Sequence, residues 1–145
     1  MKILYLILST ALLGMLAWAA WKDIRSKKLP VIFLIIGACT GIVLQIIIGE
    51  ASVWDILLSC IPGAIAYAVA FFTKQALGYG DAALIIISGI FLGLNTNVML
   101  ILIALALSAI AAAVLLILKR KKRKDEMPFV PFMLCSYIVI MAVNI

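Results

Sequence analysis

Gly78-Tyr79-Gly80-Asp81-Ala82-Ala83-Leu84-Ile85-Ile86-Ile87 sets a carboxylate on a glycine-loosened turn at the mouth of an apolar helix. An ionisable side chain this close to lipid is costly, and by default it marks a functional site with a partner. The rest of the chain decides that lipid is the setting. Of its 145 residues, 68% are hydrophobic and 12% charged. No soluble domain of this size hides that much apolar surface. The apolar runs are unbroken and lack a period of two, which argues against a transmembrane β-barrel. The expected fold is all-α: a polytopic membrane protein, one domain over residues 1–145, built as a bundle of six transmembrane helices.

A helix needs about 20 apolar residues to cross the hydrocarbon core. The runs place spans at about 3–21, 31–48, 53–73, 82–94, 98–118 and 128–144. The first, with Lys2 ahead of it and Ala17-Trp18-Ala19 near its end, also has the shape of a signal peptide. A retained helix explains more, because Asp23 follows it directly. Pro30 is expected in the first turn of the second span. Pro62-Gly63 is expected to kink the third, and Asn95-Thr96-Asn97 to end the fourth. No internal repeat is visible. Loops one, three and five fall on one side and hold every Lys and Arg except Lys2. That asymmetry places these loops in the cytoplasm and both termini outside.

The fourth span is short. From Asp81 to Asn95 is about 15 residues, or roughly 22 Å of helix, against a hydrocarbon core of about 30 Å. Irregular backbone at Gly78-Tyr79-Gly80 is therefore expected to dip below the cytoplasmic face, covered by protein or by a wet pocket.

The net charge is +6, yet the basic residues sit between spans, where they orient the chain in the membrane, so no nucleic-acid partner is expected. The chain has no histidine, which removes Ser/His and Cys/His nucleophiles and His-bearing zinc sites. Cys39, Cys60 and Cys135 are isolated in apolar runs and read as buried small hydrophobes. The Lys119–Lys124 run reads as a lipid-headgroup and topology device. Gly37-x-x-x-Gly41 and Gly89-x-x-x-Gly93 read as close helix contacts inside the bundle.

Asp23 and Asp81 are expected on the same side of the membrane. Two carboxylates within about 3–6 Å tend to share one proton, and that state suits peptide hydrolysis. The ionised member takes a proton from water, while the protonated member donates a hydrogen bond to the scissile carbonyl. No metal or cofactor is required. Asp81, read as an N-cap, would be the base; Asp23, behind the C-terminal end of its helix, would be the proton donor. Singly, each residue also has a plainer reading. Asp23 could be a solvated charge beside Arg25, and Asp81 a helix cap. Glu50, Asp55, Asp125 and Glu126 read as solvated.

These residues resemble the type IV prepilin peptidases, or GxGD aspartyl proteases. Asp81 matches the aspartate of that motif, Gly78 and Gly80 its glycines, and Leu84, Gly89 and Gly93 the pattern that follows. The segment from Asp23 through Arg25 to Leu29-Pro30 is similar to the family's D-x-R-x-x-x-[IL]-P. Pro128-Phe129-Val130-Pro131 is similar to its PFxP stretch. The resemblance implies catalytic Asp23 and Asp81, with motif support from Gly78, Gly80, Arg25, Pro30, Pro128 and Pro131. It implies cleavage of the basic leader of a prepilin-like precursor at the cytoplasmic face of the inner membrane. Larger relatives carry an N-terminal region with paired CxxC motifs and also methylate the product. With neither the length nor the cysteines for that, this chain looks like the compact peptidase-only form found with tight-adherence pilus systems, with no methyl transfer expected. It departs at Val31, where Asn is common, and at Ala83, where Lys often follows the motif.

Two other classes compete. A proton-coupled transporter would favour carboxylates near mid-bilayer and symmetric repeats. A non-catalytic membrane assembly subunit would use both aspartates only as caps. A presenilin-like protease shares GxGD, but its first aspartate usually follows tyrosine, and here Lys22 precedes it.

Overall fold

The computed structural model describes residues 2–26, 29–48, 52–73, 78–118 and 128–143, and every element among them is helical. In order these are α1 (Lys2–Ser26), α2 (Val31–Ile48), α3 (Val53–Ser59), α4 (Ile61–Phe72), α5 (Tyr79–Ile117) and α6 (Val130–Val143). The expectations for Lys27, Lys28, Glu50, the Lys119–Lys124 run, Asp125 and Glu126 fall outside the described residues.

Local chemistry sets the helix ends. Pro30 stands one place ahead of α2, and its carbonyl accepts the amides of Phe33 at 3.0 Å and Leu34 at 3.4 Å. At the start of α3, the Ser52 amide donates to Asp55 Oδ2 at 3.0 Å. This ties a solvent-facing carboxylate to the helix entrance, so Asp55 is exposed, as its sequence reading holds. Cys60 separates α3 from α4, and Pro62 occupies the first turn of α4, the place where a missing N–H costs least.

The fourth and fifth expected spans form a hairpin inside α5. Gly93 has φ 73° and ψ 171°, a conformation essentially restricted to glycine. Asn97 Nδ2 donates to the Ile85 carbonyl at 3.1 Å, and Ser88 Oγ donates to Asn97 Oδ1 at 2.8 Å. In a straight helix, residues 85 and 97 would stand about 18 Å apart along the axis. The chain must therefore double back at Gly93. Asn97 is fully buried between the arms, so the segment expected as a polar turn is an internal lock. The turn itself lies two residues before Asn95.

Arm 79–92 is the hub, because α5 meets every other helix. Gly63 of α4 lies against the Ile86 backbone, and Gly89 lies against the Ser59 carbonyl and the Asn97 side chain. A side chain at either would push the helices apart. Gly37 and Gly41 of α2 likewise admit Met15, Ile87, Ile90 and Phe91. Both small-residue pairs are spent inside the molecule, with Gly93 serving the turn rather than a contact.

Leu8, Leu12, Leu16, Ala19 and Ala20 form one buried stripe on α1, and Val130, Met133, Tyr137 and Ile140 form another on α6. Steps of three and four residues keep each stripe on one helix face. The Tyr137 hydroxyl donates to the Ser9 carbonyl at 3.1 Å and pins the two helices. Elsewhere the surface is apolar. Ile32, Ile35, Ile36, Ile46 and Ile47 of α2 are all exposed, an arrangement that water does not tolerate over such an area and lipid does.

Among the described residues, Leu6–Ser26, Val31–Ile48, Val53–Phe72 and Tyr79–Ile117 are long and apolar enough to cross a membrane, and Val130–Val143 is a shorter apolar helix. This is a multi-pass helical membrane protein. The cysteines correct their sequence reading: Cys39 and Cys135 are exposed and Cys60 is half-buried. With lipid as solvent, a weakly polar thiol gains little by turning inward.

Candidate active site

The buried stripe of α1 ends on a carboxylate. Asp23 follows Ala19 and Ala20 by four and three residues on the same face, and only 7% of it is exposed. It therefore leaves the plainer reading of a solvated interfacial charge behind. Helix α1 runs on to Ser26, so Asp23 lies within its closing turns and not beyond its end. The neighbour it meets is the start of α6: the Val130 amide donates to Asp23 Oδ2 at 3.3 Å.

Asp81 is held by a different device. Gly78 is the N-cap of α5, with extended backbone at φ −65° and ψ 136°. Asp81 is thus the third helical residue, not the cap itself. Its carboxylate folds back toward the backbone of Gly78. The bare Cα of Gly78 makes room for this, since a methyl group there would stand 3.1 Å from Asp81 Oδ2. At Gly80 a methyl group would stand 3.3 Å from Leu29 Cδ1, so this glycine admits the residue just before Pro30. The glycine turn and the Leu29-Pro30 segment close on each other. Tyr79 adds a ring contact with Tyr67 of α4, with centroids 5.2 Å apart, which steadies the start of α5.

The two carboxylates come together at one end of the bundle. Asp81 is half-buried and lies within electrostatic reach of Asp23. Three segments distant in sequence meet there: the close of α1, the opening of α5 and the opening of α6. Arg25 points elsewhere along α1, with its guanidinium 4.6 Å from the Trp21 ring. Pro131 is the second residue of α6 and Pro128 lies two places before it, both half-buried. No group of three or more His, Cys, Asp or Glu side chains suited to a metal is present among the described residues.

Sequence reasoning singled out both prolines of the Pro128–Pro131 segment and passed over Val130 between them. The available signal was the step of three and four through Val130, Met133 and Tyr137, which makes Val130 the buried first position of α6. Leu29 was quoted only as part of a motif, and its packing on Gly80 gives it a physical role.

A buried and a half-buried carboxylate, within electrostatic reach of each other, stand at one end of a membrane helix bundle. The chain belongs to the type IV leader peptidase family, whose profile matches residues 10–117, including both aspartates and the glycine turn. No curated protein and no solved structure matches the chain significantly. The family implies a membrane-bound peptidase acting on the leaders of prepilin-like precursors.

Proposed function

We propose that Asp23 and Asp81 are the catalytic dyad of an aspartic endopeptidase that removes the basic leader of a prepilin-like precursor. The observation that supports this reading is the placing of two carboxylates from separate helices, Asp23 buried and Asp81 half-buried, within electrostatic reach of each other at one end of the bundle. A pair sharing one proton activates water with one carboxylate and polarises the scissile carbonyl with the other. As the peptide bond breaks, the protonated member passes its proton to the leaving nitrogen, and the carboxylate that took the water's proton holds it. The dyad is then ready for another turnover, with one water consumed and nothing else.

The helix-end argument that made Asp23 the proton donor loses its premise, because Asp23 lies within α1 and accepts the Val130 amide at the entrance of α6. The proton then belongs to the pair, as expected of strongly coupled acids.

In this reading the two arms of α5 and the paired α3–α4 count as three of six passages. The dyad faces the cytoplasm across the inner membrane, and both termini lie outside. The protein carries peptidase activity without methyl transfer. Support comes from Lys22 and Arg25 beside Asp23 and from the sequence, in which loops one, three and five hold every Lys and Arg except Lys2. Lipid and the precursor are its partners.

The test is cleavage of a co-expressed precursor, followed as a mobility shift, with wild type, Asp23→Asn and Asp81→Asn at equal membrane levels. Loss of processing in both variants is expected. Undiminished processing in either one breaks the dyad.

A further inference from the structure

We infer that the backbone amide of Val130, at the entrance to α6, is the positioning group for Asp23. This rests on the dyad reading and adds a component to it that side-chain chemistry does not reveal. The amides at the start of α6 can be accounted for one by one. Pro131 has none. Those of Phe132 and Met133 both reach the Phe129 carbonyl, at 3.0 and 3.3 Å. That of Val130 is left over, as one of the donors every helix entrance leaves unpaired inside the helix.

Val130 is completely buried, so bulk water does not serve that amide, and a buried N–H without an acceptor is costly. Its acceptor is Asp23 Oδ2. The bond ties one carboxylate oxygen to a fixed point on rigid backbone and so restrains the side chain. Pro131 strengthens the arrangement by omission. With no N–H of its own, it offers Asp23 no competing donor at the position after Val130. The Pro128-Phe129-Val130-Pro131 segment thereby acquires a physical purpose: to present one amide to one carboxylate.

The position permits a clean test, because proline is tolerated in the first helical position, where Val130 sits. Val130→Pro deletes the amide and keeps an apolar ring. Val130→Ala keeps the amide and trims the side chain. Both are compared with wild type in lipid nanodiscs, using a prepilin-like precursor peptide, with kcat and KM measured separately. Val130→Pro is expected to lower kcat about 10- to 100-fold, the worth of a hydrogen bond to a charged group read as a rate. KM should stay near the wild-type value, and Val130→Ala should retain the wild-type kcat.

Equal kcat for the proline and alanine variants overturns the proposal, as does a change confined to KM. If the proline variant fails to accumulate, Val130 is replaced by its α-hydroxy acid, which exchanges the N–H for an ester oxygen and keeps the side chain. The same outcomes then decide. Asp23→Asn and Asp81→Asn run alongside. If either is active, the dyad reading itself has failed. If both are inactive and Val130→Pro is fully active, only the positioning role has failed.

Discussion

Asp23 and Val130 stand 107 residues apart and are joined by a 3.3 Å hydrogen bond between the close of α1 and the entrance of α6. The bond makes Asp23 a structural residue as well as a candidate catalyst, and substitution separates the two roles. Asp23→Ala strands the buried Val130 amide and should lower stability by about 1–3 kcal/mol. Asp23→Asn retains a carbonyl acceptor and should unfold close to wild type while remaining inactive. Thermal unfolding in detergent, read by tryptophan fluorescence beside the cleavage assay, checks both halves.

The two glycines of the turn should respond differently to alanine. At Gly78 the new methyl group would stand 3.1 Å from Asp81 Oδ2 itself, so the carboxylate must shift from its place. At Gly80 it meets the flexible end of Leu29, and alanine's better helix propensity, about 1 kcal/mol, offsets the crowding. Gly78→Ala is therefore expected to lose the larger share of kcat, with Gly80→Ala close to wild type in stability. Measured kcat and melting temperature for the two proteins decide the order.

Gly93→Ala tests the α5 hairpin without touching any neighbour, since nothing lies within 4 Å of a Cβ built there. What remains is the backbone conformation, φ 73° and ψ 171°, which should cost about 1–3 kcal/mol with any side chain. A fall in unfolding midpoint is expected, with unchanged kcat for the folded fraction.

Ser88 and Asn97 hold the arms of that hairpin together at 2.8 Å. A double-mutant cycle with Ser88→Ala and Asn97→Ala should give a coupling of about 0.6–1.7 kcal/mol, the scale of side-chain hydrogen bonds within membrane proteins. Additive losses would mean that the Asn97 bonds to the Ile85 and Ser59 carbonyls carry the lock instead.

Much of this was legible in the sequence because lipid imposes simple rules. Apolar length gave the helices, and the break at Pro62 followed from a missing N–H. The pairing of Asp23 with Asp81 followed from their sharing one side. The misreadings have a common cause. Asn95-Thr96-Asn97 looked like a loop because polarity ordinarily marks solvent, but Asn97 turns inward to bond the opposite arm. Asp23 looked as if it lay beyond its helix because Lys22 and Arg25 flank it, although helix formation continues through them to Ser26. Val130 escaped notice because its contribution is a backbone amide, which every residue except proline possesses. Only the three-dimensional partner distinguishes it.

The order of assembly carries a consequence for biosynthesis. A nascent chain that has passed Asp81 already contains both carboxylates and helices α1 to α4. It still lacks the amide that receives Asp23, because Val130 emerges from the ribosome later. If Asp23 and Asp81 act as proposed and Val130 positions Asp23, the site is complete only once α6 inserts, and translation itself acts as the safety catch.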